Sequence, residues 1–236
     1  MSKRSEMRQK RLREQRLRRL VVIFIFLGAA LVITATIIWP NIAPIGDIVI
    51  PRTKSYSLAD GNAMGEPNAS VVIEEFSDFQ CSHCRTFHQN TGAQIIEQYV
   101  ETGQVYFIFR NYAFIGLESL AAANGSMCAA EQGKFWEYAD ILFANQSGLD
   151  AGAFSDRRLE AFAENVNLDT ALFRSCMREN RYQDQVQQDY QAGVSQGINS
   201  TPSFIINGKL VVGASSFSEF QSEIEAALME PETSSP

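Results

Sequence analysis

A run of residues without a charge, 20–39, constrains most strongly how this 236-residue chain can fold. At about 1.5 Å of rise per residue, a helix of that length spans about 30 Å, the thickness of the hydrocarbon core of a bilayer. A cleavable signal peptide has a shorter apolar run of about 7–15 residues, so we interpret this segment as an uncleaved transmembrane signal anchor. The basic residues concentrated in 1–19 then form a cytoplasmic tail, and the remainder of the chain is extracytoplasmic.

The charge of the chain is divided in the same way. The whole sequence has a net charge of −7, from 20 basic and 27 acidic residues. Residues 1–19 contain nine of the basic and two of the acidic residues, which leaves about −14 for the rest of the chain. So acidic an extracytoplasmic part argues against nucleic acid as a partner.

The region beyond the apolar run divides by composition. Proline and glycine are concentrated in residues 40–68, which we interpret as an extracytoplasmic tether. Residues 69–230 are long enough for one domain with a sizeable core, and residues 231–236 are predicted to be a disordered tail.

Hydrophobic patterning predicts the order of elements in this domain. A strand at 71–76 is followed by a helix at 81–99, with Thr91-Gly92 as a candidate break, and by a second strand at 105–109. A helical region at about 117–197 follows, with breaks at glycine and aspartate, and most of its aromatic residues are expected in the core. Two short apolar runs around Asn207-Gly208 predict a hairpin, and a capping box opens a final helix.

The sequence Cys81-Ser82-His83-Cys84 lies where the first predicted strand passes into a helix. A thiol at the start of a helix is close to unsatisfied N–H groups, which lower its pKa, and the thiolate is the species that exchanges disulfides. All four cysteines of the chain lie beyond the apolar run, in a compartment where disulfides persist. We therefore predict a redox pair in which Cys81 reacts, Cys84 is its buried partner, and His83 stabilises the thiolate.

Two other uses of a Cys-x-x-Cys pair are weaker. Haem attachment needs a histidine directly after the second cysteine, and Arg85 occupies that position. A zinc site would need further ligands, and Cys81, Cys84 and His88 with one more residue form the alternative metal set. His88 by itself is expected to be a surface residue of the helix. We predict neither a metal nor a cofactor.

The other two cysteines, Cys128 and Cys176, lie among apolar neighbours in the predicted helical region. A disulfide between them would close a loop of about 48 residues and stabilise the fold by about 4 kcal/mol in the chain-entropy model. Two separate buried thiols are the alternative, which an oxidising compartment disfavours. We predict a structural disulfide.

Two further features accompany the cysteine pair. Glu75 lies six residues before Cys81, and Thr201-Pro202 lies just before the predicted hairpin. In this order, the motifs resemble the thioredoxin superfamily and most closely its DsbA-like branch. The segments VVIEEFSDFQCSHC, MCAAEQGKFWEYADILF and STPSFIINGK look like those of membrane-anchored or secreted bacterial members. Ser82 departs from the proline that usually follows the first cysteine, which puts the degree of oxidising character in doubt.

The resemblance implies an α/β thioredoxin fold with a helical insertion between the second and third core strands, preceded here by the transmembrane helix. It implies that Glu75 is a buried acid that handles the proton of Cys84, and that a cis-proline loop of Thr201 and Pro202 faces the cysteine pair and aligns the client chain.

The function implied is that of an extracytoplasmic thiol–disulfide oxidoreductase, which donates the Cys81–Cys84 disulfide to folding proteins through a mixed disulfide on Cys81. Its implied partners are reduced or unfolded extracytoplasmic proteins, a membrane quinone-linked thiol oxidase of the DsbB or vitamin-K-epoxide-reductase (VKOR) type, and the lipid bilayer through residues 20–39. A thiol reductase or disulfide isomerase using the same pair, and a non-catalytic metal-binding or chaperone-like module, are the alternatives.

Overall fold

The protein, described by a computed structural model over residues 3–42, 44–52 and 56–229, divides into two units, 1–46 and 47–236. The first unit contains one helix, α1 (Lys3–Ile42). Its segment Gln15–Thr36 has a mean hydropathy of 2.3 and is long and apolar enough to cross a membrane, judged by length and composition. The predicted apolar N-terminal helix is therefore confirmed, and the structure extends it through the basic residues that precede the apolar run.

The second unit is built on a mixed six-stranded sheet. Its strands are β1 (Ala59–Asp60), β2 (Ala63–Met64), β3 (Val71–Ser77), β4 (Val105–Asn111), β5 (Ser203–Ile206) and β6 (Lys209–Val212). They lie in the order β1-β2-β4-β3-β5-β6. The central pair β3 and β4 is parallel, and every other pairing is antiparallel. Between β5 and β6, Asn207 and Gly208 both have positive φ, as a two-residue hairpin turn requires.

Eight helices accompany the sheet in the described part of the second unit. They are α2 (Ser82–Gln89), α3 (Thr91–Ile95), α4 (Leu117–Ala130), α5 (Phe135–Ala144), α6 (Asp156–Asn165), α7 (Thr170–Arg178), α8 (Gln183–Ser195) and α9 (Phe217–Met229). A π-helical turn (Ile96–Val100) follows α3. The helix predicted for 81–99 has a candidate break at Thr91-Gly92, and the structure places the break one residue earlier, at Asn90. Helices α4 to α8 lie between β4 and β5 in the chain and form the helical insertion.

The tether predicted for residues 40–68 needs a correction. Its second half contains β1 and β2, and β2 pairs with β4 through Ala63↔Ile108 and Met64↔Phe107. Further upstream, the backbone of Val49 exchanges two hydrogen bonds with the side chain of Asn145, at 2.8 and 2.7 Å. Residues 59–64 therefore belong to the sheet. Glycine was interpreted as a linker signal here, whereas Gly61, with φ +58°, makes the turn of a hairpin whose strands are too short to recognise.

Aromatic side chains fill the core on one face of the sheet. Phe109 of β4 stacks on Phe79 at 5.2 Å between ring centroids and contacts Phe135 of α5 at 5.3 Å. Phe204 of β5 packs against Phe87 of α2 at 4.4 Å. The aromatic residues predicted to be core in the insertion are at most 1% exposed: Phe135, Trp136, Tyr138, Phe143, Phe154, Phe162 and Phe173. A smaller cluster on the opposite face is covered by α8.

The helical insertion carries the disulfide of the chain. Cys128 of α4 and Cys176 of α7 are bonded to each other, with their Cα atoms 5.9 Å apart and a sequence separation of 48. Each is 1% exposed. The bond joins two helices that also pack against each other.

Candidate active site

The site is built where β3 ends and α2 begins. Cys81 has an extended conformation (φ −78°, ψ 119°) and is the N-cap residue of α2, and its carbonyl accepts the N–H of Arg85 at 3.1 Å. Cys84 is on the first turn of the same helix. Cys81 is 8% exposed and Cys84 is 0% exposed, and both are free thiols in this structure. A reagent from solution therefore reaches Cys81, while Cys84 is behind it.

Asp78 fixes the loop that leads into Cys81. Its side chain is 1% exposed and accepts hydrogen bonds through both oxygens. The donors are Gln80 N at 2.8 Å, Ser119 Oγ at 2.7 Å, Phe114 N at 3.0 Å and Ile115 N at 3.1 Å. This carboxylate thereby joins the cysteine loop to the segment between β4 and α4. We did not predict its role, because a lone aspartate at a strand end usually indicates a turn.

The pKa of Cys81 is lowered from 9.0 to about 6. The largest cause is a hydrogen bond from the Cys84 thiol. Burial opposes it, and the Thr201 side chain and the backbone N–H groups of Cys84 and His83 lower the pKa further. These donors stabilise the thiolate, as expected at the start of a helix. Cys81 is therefore the group that carries negative charge near neutral pH.

His83 takes part in this arrangement through its backbone. The imidazole is exposed, and the contribution to the pKa of Cys81 comes from the backbone N–H. Stabilisation of the thiolate by the imidazole stays a prediction.

The loop before β5 brings Thr201 and Pro202 against the reactive thiol. The Cys81 thiol donates to the carbonyl oxygen of Thr201 at 3.3 Å, across 120 residues of sequence. The Thr201–Pro202 peptide bond is cis, and Pro202 is buried. The Pro202 carbonyl accepts the N–H of Gly213 at 2.8 Å, which ties this loop to the residue after β6. The pair thus lies beside Cys81, as the resemblance implied.

Glu75 lies on β3 and is 1% exposed. Burial raises the pKa of its carboxyl group from 4.5 to about 8, the Ser77 hydroxyl opposes this, and the charge of Cys81 adds to it. Burial likewise raises the pKa of Cys84 well above 9.0, as do the hydrogen bond and the charge of Cys81. The site therefore holds one acidic thiol, one weakly acidic thiol and a carboxyl group that is protonated near neutral pH.

His88 is a correction to the sequence interpretation, which placed it on the helix surface. It is 8% exposed, and its Nε2 atom lies 2.7 Å from Asp140 Oδ1 of α5. The hydroxyl of Tyr56 donates to the other oxygen of Asp140 at 2.8 Å. His88 therefore connects α2 to the insertion. In the described part of the chain, no cluster of three or more histidine, cysteine, aspartate or glutamate side chains is arranged to hold a metal ion.

Comparison with known proteins identifies the family. A thioredoxin family model matches residues 58–226. The chain belongs to the thioredoxin family. This thioredoxin-family protein is 25% identical over 190 residues to a probable disulfide bond formation protein D of Bacillus anthracis, and the alignment covers 79% of this chain and 86% of that one.

Solved structures show the same fold. Oxidised BdbD from Bacillus subtilis matches with a TM-score of 0.67 and 23% identity, covering 78% of this chain and all of that one. Wolbachia pipientis alpha-DsbA1 matches with a TM-score of 0.62 and 24% identity, covering 71% and 90%. The predicted DsbA-like thioredoxin fold is confirmed. Together with the Cys81–Cys84 pair, the matches identify this thioredoxin-family protein as a thiol:disulfide oxidoreductase.

Proposed function

We propose that the protein is an extracytoplasmic oxidase that donates the Cys81–Cys84 disulfide to reduced proteins through a mixed disulfide on Cys81. The observation that carries this proposal is the lowered pKa of Cys81, to about 6. A stabilised thiolate favours the reduced form of the pair, and a pair whose reduced form is stabilised is a strong oxidant of other thiols.

The first step consumes the disulfide. A client thiolate attacks the Cys81 sulfur, the Cys81–Cys84 bond breaks, and Cys84 leaves with the electron pair. Cys84 then takes a proton, which the carboxyl group of Glu75 supplies because the pKa of Glu75 is about 8 and that of Cys84 is well above 9.0. Burial of Cys84 directs the attack to Cys81.

The second step releases the product. Another client thiolate attacks the client sulfur of the mixed disulfide, and Cys81 leaves as a thiolate that needs no proton near neutral pH. Two electrons have then passed from the client to the cysteine pair. The carbonyl of Thr201 and the Pro202 loop lie beside the sulfur under attack, where they align the client backbone.

The rest of the proposal concerns location and partners. The α1 helix anchors the protein in a bacterial cell membrane through residues 20–39, with the basic residues in the cytoplasm and the cysteine domain outside. Reduced or unfolded extracytoplasmic proteins are the clients. A quinone-linked thiol oxidase of the membrane, DsbB-like or VKOR-like, reoxidises the pair.

The reduction potential tests the direction of the reaction. The full-length protein in detergent is equilibrated with glutathione buffers, and the Cys81–Cys84 state is measured by alkylation and mass spectrometry. We expect a potential above about −200 mV, near the poise of oxidising compartments. A value below about −270 mV, that of thioredoxin, would assign the reverse function of a reductase.

Two single variants test the attack on Cys81. Cys84→Ser keeps the reactive thiol but removes the thiol that resolves its mixed disulfide, so it should accumulate a covalent complex with a peptide disulfide. Cys81→Ser should form no such complex, because Cys84 is buried. A complex formed through Cys84 would contradict the proposed order of attack.

A further inference from the structure

Three buried polar side chains lie together at the carboxyl ends of β3 and β4. Glu75 and Ser77 are two residues apart on β3, so they point to the same face of the sheet. Asn111 is in register with Ser77 across the parallel ladder and points to that face as well. Each of the three is 1% exposed.

This face is covered by α2 and the insertion. On the side of β3 away from β4, Phe204 of β5 is in register with Glu75. Its ring packs against Phe87 of α2, the helix that carries Cys84. Ser126 Oγ of α4 lies 3.5 Å from Asn111 Oδ1. The Ser77 hydroxyl is close enough to Glu75 and to Cys84 to lower the pKa of both groups. Ser77 therefore lies on the face of the sheet that holds the Glu75 carboxyl group, beneath the helix that carries the Cys84 thiol.

Each of the three side chains has an atom without a partner. Within the described residues, Glu75 Oε1, Ser77 Oγ and Asn111 Nδ2 are buried and make no hydrogen bond. Leaving a buried polar group unsatisfied destabilises the fold, and neighbouring groups of this kind are commonly satisfied by an internal water. The amide of Asn111 donates, an oxygen of the Glu75 carboxyl group accepts and the hydroxyl of Ser77 does either, which is the set of partners that one water molecule needs.

We propose that Ser77 and Asn111 hold a water molecule against Glu75, and that Ser77 relays the proton between Glu75 and Cys84. The inference rests on the proposed function and extends it. When Cys84 leaves as a thiolate, it receives the Ser77 hydroxyl proton while Ser77 takes a proton from Glu75, directly or through the water. Glu75 becomes a carboxylate, and reoxidation of the pair reverses the transfer.

Few other ionisable groups are placed to take this role. Besides Glu75, the Ser77 hydroxyl affects the pKa of Cys84, and Asp78 follows Ser77 in the chain. Both oxygens of Asp78 are engaged by the loop and by α4. On α8, Asp189 binds the backbone N–H of Asn111 at 3.1 Å and the guanidinium of Arg110.

The test measures how fast the pair closes on a small thiol. Reduced full-length protein in detergent is mixed with glutathione disulfide, and samples are quenched and alkylated at intervals. Mass spectrometry then follows the mixed disulfide on Cys81 and its closure by Cys84. Closure requires Cys84 to lose its proton. Ser77→Ala removes the hydroxyl, Ser77→Thr retains it, and Ser77→Val has the shape of the threonine variant with a methyl group in place of the hydroxyl.

We expect Ser77→Val and Ser77→Ala to slow closure at pH 7 by about 100-fold, the lower end of the range for a positioned proton-transfer group. Ser77→Thr should close at nearly the wild-type rate. The difference in closure rate between these variants and the wild type should shrink as the pH rises, because Cys84 then ionises without the relay. Tyr138→Phe, which removes an equally buried hydroxyl from α5, is the matched control and should close normally.

A double variant separates relay from packing. If Ser77 acts through Glu75, then Glu75→Gln combined with Ser77→Val closes no more slowly than Glu75→Gln alone. Three results would overturn the relay. They are a normal closure rate in Ser77→Val, a loss of rate in the double variant that multiplies those of the single variants, and an altered pH profile of Cys81 alkylation in the serine variants. A low reduction potential of the Cys81–Cys84 pair would instead overturn the proposed function. The closure rates would still test the relay.

Discussion

Gln80 and Asp150, 70 residues apart in the chain, exchange two hydrogen bonds. The N–H of Asp150 donates to Gln80 Oε1 at 2.7 Å, and Gln80 Nε2 donates to Asp150 Oδ1 at 3.1 Å. The carboxylate of Asp150 also accepts the N–H groups of Leu117 and Glu118 at the start of α4. The helical insertion therefore holds the residue that directly precedes the reactive cysteine.

We expect Asp150→Ala to lower the melting temperature by a few degrees and to change the reactivity of Cys81, because it frees both Gln80 and the start of α4. Gly116→Ala should do the same, since a Cβ atom there would lie 2.4 Å from Asp150 Oδ1. Thermal unfolding and the rate of Cys81 alkylation measure the two effects. Asp150→Asn, which keeps one oxygen, should be milder; equal effects of Asn and Ala would show that the acceptor is unimportant.

The reactivity of Cys81 should follow its lowered pKa. Alkylation by iodoacetamide should rise with pH around a midpoint of about 6, and Cys81→Ser should abolish it because Cys84 is buried. Since the folded pKa lies below the ordinary 9.0, the thiolate stabilises the reduced protein fully above pH 9, and this stabilisation is lost as the pH falls through about 6. A midpoint near 8.5 would contradict the hydrogen bonding described for the sulfur.

Glu75→Gln should stabilise the reduced protein at neutral pH. Because the folded pKa of Glu75 is raised from 4.5 to about 8, ionisation is resisted in the folded protein, and the wild type loses stability progressively between those two pH values. The gain in the variant should be absent below about pH 4.5 and reach at most about 5 kcal/mol above pH 8. Urea unfolding at several pH values measures it, and a gain independent of pH would point to packing.

Removing the Cys128–Cys176 bond should weaken the fold without changing the reactive thiol. The double variant Cys128→Ala with Cys176→Ala should lose about 4 kcal/mol of unfolding free energy, since it frees a loop of 48 residues. The pH midpoint of Cys81 alkylation should stay near 6. Urea unfolding and alkylation of the same samples test both expectations, and a shifted midpoint would show that the insertion tunes the sulfur.

The parts of the fold that the sequence predicts well are those set by local patterns. The strand before Cys81, the hairpin at Asn207-Gly208 and the capping box at Ser216 depend on residues close together in the chain, and the structure contains all three. The β1–β2 hairpin was missed because strands of two residues carry no periodicity. Their stability comes from pairing with β4, which is remote in sequence.

The residues of the active site also divide into those that the sequence predicts and those that depend on contacts remote in the chain. Cys81 could be proposed from a motif, and Glu75 and Pro202 from a family resemblance. The burial of His88 could not, because it depends on Asp140 of α5, 52 residues away. Nor could the role of Asp78, whose partners come from the segment after β4 and from α4. Serine and aspartate at a strand end look like turn residues until the fold shows what covers them.

The buried disulfide between α4 and α7 has a consequence for how the protein is made. A newly made chain carries four thiols, which could pair in three ways. In the finished fold Cys128 and Cys176 are each 1% exposed, so an oxidant must reach them before the helices close over them. On the proposed function, each new molecule is therefore a client before it is a catalyst, and existing copies can help to mature the next generation.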